Sequence, residues 1–115
     1  MTEHDDNTWD LMREMHELTV LAAALRSSDA AGTTTPEQKR DYLLRRAVVD
    51  LEHLDRPELS EDDPDAYAEA VRSASRLRDH DVRYGSQRGP VPASDSCWRG
   101  PEGAVRYVRE ERRHG

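Results

Sequence analysis

Three histidines stand among carboxylates: His16 beside Glu14 and Glu17, His53 beside Asp50 and Glu52, and His80 between Asp79 and Asp81. These are the residue types of a metal site or of acid–base chemistry. A metal centre in a helical bundle needs Glu/Asp-x-x-His pairs turned inward from two helices, with two further carboxylates. Asp50-x-x-His53 supplies one pair, on the minor face of its predicted helix, and Glu111-x-x-His114 lies near the C-terminal end. With 36% of residues charged, such neighbours arise by chance. The spacing falls short of a closed ligand set. No metal, cofactor or catalytic residue is assigned, and a small helical-bundle enzyme or metal binder using His16 and His53 stands as the third reading.

Other chemistry has less to build on. The chain has no Gly-rich phosphate loop, Cys-x-x-Cys pair or Gly-x-Ser-x-Gly elbow. Its single cysteine, Cys97, precedes Trp98 and Arg99, and a neighbouring cation lowers a thiol pKa; a bystander thiol is the plainer reading. Arg72, Arg76 and Arg83 form a row that could grip phosphate or an acidic partner, or form a solvated face paired to Glu69 and Asp79. Against nucleic acid stands the net charge of −7, which repels a polyanion. Trp98 is unusual in a segment otherwise poor in apolar groups, and either docks on its own body or anchors in another protein.

Three helices must position these groups. The strongest is 36–55. Thr35, Pro36 and Gln38 make a capping box with proline at the first helical position. Leu43, Leu44, Ala47, Val48, Leu51 and Leu54 form one apolar stripe, and Arg56 before Pro57 ends the helix. Tyr42, Arg46, Val49 and His53 mark a second edge. A first helix over about 9–26, capped by Asn7 or Thr8 after a frayed acidic start, also has two apolar sides. Leu11, Met15, Leu18, Ala22 and Leu25 form one, and Trp9, Met12, His16, Val20 and Ala23 the other. The polar stretch 27–34 connects the two. A third helix, 64–84, starts at Asp63-Pro64 and ends at Gly85; Tyr67, Ala70, Val71, Ala74 and Leu77 form its inner face.

From Gly85 onward Gly, Pro and Ser dominate, and a short helix over 104–113 would have little to bury. Residues 1–84 hold 20 acids and 11 bases, a net −9, whereas residues 85–115 hold 4 acids and 6 bases, a net +2. The expectation is an all-α fold: a small antiparallel three-helix bundle over 1–84 with an irregular, flexible, mildly basic Gly/Pro-rich tail over 85–115. That tail is expected to be dispensable for folding. Leu and Val number 18, with no Ile or Phe, in 115 residues, a lean core of the kind a second copy often completes. The longest apolar run, 18–25, is too short to cross a bilayer. The acidic first residues and lone cysteine point to the cytoplasm.

The functional expectation is a non-enzymatic protein–protein interaction module, a regulator or adaptor that self-associates as a homodimer and takes a protein partner. Its contact candidates are Trp9, Met12 and His16 on the first helix, Tyr42, Val49 and His53 on the second, and Trp98. The second reading is a nucleic-acid-associated regulator (antitoxin-like or a repressor accessory) using Arg72, Arg76, Arg83 and the basic tail.

Overall fold

The structure, a computed structural model, describes residues 3–114. Among them the fold is all-helical: α1 (Glu3–Ala31), α2 (Pro36–Leu54), the single turn α3 (Pro57–Ser60), α4 (Ala66–Tyr84), a 3₁₀ turn at Ser96–Trp98, and α5 (Gly100–His114). No helix is long and apolar enough to cross a membrane among the described residues.

The start of α2 follows from its capping box. The Gln38 amide donates to Thr35 Oγ1 at 3.2 Å, and Gln38 Oε1 accepts from the Thr35 amide at 2.9 Å. Two otherwise orphaned backbone donors are thereby satisfied, a device worth on the order of 1 kcal/mol. The helix stops at Leu54, with Asp55 as its cap before Arg56-Pro57. α1 is longer than its apolar periodicity suggests. It already includes residues 3–7, so Asn7 and Thr8 are helical rather than capping, while Met1 and Thr2 of the expected frayed start lie outside the described residues. At the other end Ala30 and Ala31 carry the helix on until Gly32, whose φ of 71° is open to glycine and strained for other residues. The Thr33 amide then donates to the Ser28 carbonyl at 2.9 Å and closes the turn. The proline-containing acidic stretch after α2 includes α3, and the third long helix begins at Ala66 rather than at Pro64.

The core departs from a bundle of the first three helices. Ala47 and Leu51 of α2, Ala74 and Leu77 of α4, and Ala104, Tyr107 and Val108 of α5 bury one another together with Ala93 and Trp98. The C-terminal segment expected as an irregular tail thus supplies a fourth long helix, and the core crosses the boundary expected at residue 85. Residues 85–95 do lack a regular element, as the glycines and prolines imply. They are nevertheless tied down, with Ala93 in the core. α5 begins against the 3₁₀ turn, where a Cβ on Gly103 would stand 2.4 Å from the Trp98 carbonyl carbon. Only glycine permits that approach.

α1 packs mainly on α2, through a separate small cluster in which Leu11 and Leu18 cover Val49 with Tyr42 at its edge. The second edge of α2 is therefore the seat of α1.

Candidate functional site

Each of the three core helices carries a buried charge a turn from its apolar stripe, Arg40 on α2, Asp81 on α4 and Glu111 on α5, and the fold brings these three together. Arg40 of α2 donates from Nε to Asp81 Oδ1 at 2.8 Å and from Nη2 to Asp81 Oδ2 at 3.0 Å, and Nη2 also reaches Glu111 Oε1 at 2.5 Å. All three are buried. One cation facing two carboxylates leaves a surplus negative charge, and neighbouring donors absorb it. The Tyr107 hydroxyl donates to Asp81 Oδ2, and Ser86 Oγ donates to Asp81 Oδ1 at 2.7 Å. The backbone amides of Arg88 and Gly89 donate to the two Glu111 oxygens at 2.6 and 2.8 Å. Burial works against the Arg40 charge, but the hydrogen bond and charge of Asp81 outweigh it and hold the guanidinium above its ordinary pKa. Burial, reinforced by the hydrogen bond and charge of Asp81, pushes the Tyr107 hydroxyl far up, so it stays a donor. The network is closed to solvent and each oxygen is satisfied. Its role is to lock α2, α4, α5 and the 85–89 loop in register.

The sequence-based candidates divide. Val49 and Trp98 are buried, so the assignment of these two to a partner surface gives way to packing within the chain. Val49 lies under α1, and Trp98 meets the Tyr107 ring edge-on with centroids 5.4 Å apart. Tyr42 is half-buried at the α1 contact. His53 Nε2 lies 3.1 Å from Asp63 Oδ2 and ties α2 to the loop before α4. The possible ligand pairs are engaged elsewhere. Asp50 accepts from Arg46 at 3.3 Å and from Ser73 Oγ, while Glu111 belongs to the buried network. No group of three or more metal-ligating side chains forms among the described residues. Cys97 is exposed, and its thiol is pushed up by desolvation and by the Asp95 carboxylate, against the lesser pull of Arg106.

Arg72, Arg76 and Arg83 are exposed and make no salt bridge among the described residues; the expected pairing of Asp79 goes to Arg78, at 3.8 Å. The basic C-terminal segment folds back on acids of α2 and its cap. Arg109 grips Asp55 with two bonds of 2.9 Å, and Arg112 meets Glu52 at 3.0 Å.

What remains open is the outer face of α1. Trp9, Met12 and Val20 are 61%, 53% and 57% exposed, and His16 and Ala23 beside them are also exposed. These five residues fall within about 80° of the helix circumference, on the side opposite Leu11 and Leu18. No family model, curated protein or solved structure matches this chain. Function rests on the side chains themselves. Trp9, Met12 and Val20 thus leave a row of large apolar groups in water on a helix supported from one side. Sequence periodicity identified this stripe. The buried network was missed because Arg40, Asp81 and Glu111 read as ordinary surface charges; the usable signal was their position in line with Leu44, Leu77 and Tyr107, four residues away on the same face.

Proposed function

We propose that the protein is a non-catalytic interaction module, of the regulator or adaptor kind, and that it self-associates through the outer face of α1. The observation that carries this is the exposed row Trp9, Met12, His16, Val20, Ala23. Burying large apolar side chains of this kind is worth about 1.5–3 kcal/mol each, which favours covering them.

The order of sizes along the row favours a second copy as the cover. Around His16 the row is complementary: Trp9 lies seven residues before it and Ala23 seven after, Met12 four before and Val20 four after. In an antiparallel pair with its two-fold axis at His16, Trp9 of one copy stands at the height of Ala23 of the other, and Met12 at the height of Val20. Large meets small at the levels on either side of the axis, where the two His16 rings face each other, and this suits interdigitation. His16 also lies one residue from the middle of the 29-residue α1, so the two helices overlap along nearly their whole length.

The test exchanges the sizes. Trp9→Ala alone, and Ala23→Trp alone, should each weaken the dimer by roughly tenfold or more, because one leaves a gap and the other overfills the level. The double variant restores the same pair in reverse, so its dissociation constant should return toward that of the original chain. Sedimentation of all four proteins reads the outcome. Additive losses in the double variant would contradict the antiparallel register, and four monomers would contradict self-association.

A further inference from the structure

Because α1 rests mainly on α2, a cleft of about 520 Å³ opens between α1, α2 and α4. It lies away from the outer row on α1, and the reasoning for it is independent of self-association. Its apolar wall is made by Leu25, Leu43, Tyr42 and Tyr84. Four cations, Arg26, Lys39, Arg76 and Arg83, line it as well, against the two acids Asp29 and Asp79. In a chain of net charge −7 this is a local surplus of positive charge. None of the four makes a salt bridge among the described residues, whereas Arg40, Arg45, Arg46, Arg78, Arg109 and Arg112 all do. The cations at the cleft thus outnumber its acids four to two, and none of them is held in a salt bridge to either acid.

His80 adds a second unmet group. It lines the cleft and is 8% exposed, with its ring tilted 44° to that of Tyr84 at a centroid distance of 4.6 Å and its Nε2 buried without a hydrogen-bond partner. Burial lowers its pKa, aided by Lys39 and Arg40, while Asp81 and the Pro36 carbonyl oppose the shift; the neutral imidazole is the favoured form at neutral pH. The one N–H of the neutral ring donates to the Pro36 carbonyl, so Nε2 is left as a buried acceptor, open to a donor on the ligand and not to its anionic head.

We propose that this cleft binds a small organic anion with an apolar body, the body lying on Leu25, Leu43 and the two tyrosines and the anionic head meeting Arg76, Arg83 and Lys39. The volume falls within the range of small-molecule sites, and apolar walls with a few convergent charges are their usual composition. The cations give the site its selection for a negative head group, and the walls exclude a bare inorganic ion as the preferred occupant.

Titration calorimetry with decanoate, a ten-carbon carboxylate, tests this against decyltrimethylammonium, its cationic counterpart, and inorganic phosphate. Decanoate is expected to bind saturably, one per chain, and more tightly than either comparator. In the Arg76→Glu/Arg83→Glu variant its affinity should fall roughly tenfold or more, since charge-assisted contacts are lost and reversed. Arg99→Glu/Arg113→Glu, two exposed positions away from the cleft, changes the net charge by the same −4 and should bind decanoate as the original chain does. Trp9→Ala, on the other face of α1, should also retain binding. Circular dichroism confirms that each variant is folded. Equal affinity for the cationic counterpart, no saturable decanoate binding, or unchanged binding in the double variant would each overturn the proposal. Loss of binding in Trp9→Ala would overturn it too, by placing the ligand on the outer row.

Discussion

Replacing Arg40 with Met should destabilise the protein by about 3–5 kcal/mol, the usual cost of removing one partner from a buried ion pair. The reason is geometric. Asp81 and Glu111 approach each other because the Arg40 guanidinium stands between them, donating three hydrogen bonds of 2.5–3.0 Å. Without it two carboxylates share a buried site, with Ser86, Tyr107 and two backbone amides as their remaining donors. Small domains have a total stability of about 5–15 kcal/mol, so this one side chain accounts for a large share of it. Urea unfolding followed by circular dichroism provides the measurement. The double variant Arg40→Met/Glu111→Gln should lose less than the sum of the two single losses, because removing one carboxylate relieves the repulsion that the first change creates. A loss under about 1 kcal/mol for Arg40→Met would mean that the network contributes no more than a surface pair.

The second large effect concerns the C-terminal helix. Deleting residues 100–114 takes Ala104, Tyr107 and Val108 out of the core and removes Glu111 from Arg40. Leu51 and Leu77 lose their cover, and the amides of Arg88 and Gly89 lose their acceptor. Truncating one large buried side chain costs about 2–5 kcal/mol, and here several are lost at once. The shortened chain should therefore lack a cooperative unfolding transition, with helical circular dichroism falling by far more than fifteen residues' worth. A thermal midpoint within a few degrees of the full chain would instead support the dispensable tail that composition alone suggests.

That contrast shows where the sequence is legible. α2 is readable because its signals are local: Thr35, Pro36 and Gln38 specify the start, Arg56-Pro57 the stop, and a wide stripe of Leu, Ala and Val the buried face. Gly85 marks the end of α4 for the same reason. α5 is hard to read because its buried face, Ala104, Tyr107, Val108 and Glu111, mixes one small, two large and one charged residue, so its periodicity looks interrupted. Its start was present in the sequence: Pro101 follows Gly100 and sits in the first turn, where proline is favoured, although in a Gly/Pro-rich stretch it reads as a breaker. The double-faced character of α1 and α2 was legible, but its meaning was not. On α2 the second edge is covered by α1, through Val49 against Leu11 and Leu18. On α1 the second edge stays open. Helix periodicity shows that a face is apolar, and only the tertiary arrangement shows which neighbour covers it. The cleft belongs to the same class, since Arg26, Lys39, Arg76 and Arg83 come from three helices.

Self-association through α1 is the central claim, and sedimentation equilibrium of the unmodified chain tests it most directly. Across micromolar concentrations the weight-average mass should rise from 13.1 kDa toward twice that value. A Met12→Glu variant, with a charge placed at the desolvated seam, should remain at the monomer mass while keeping its helicity. A mass that stays at 13.1 kDa throughout the range for the unmodified chain would contradict the account.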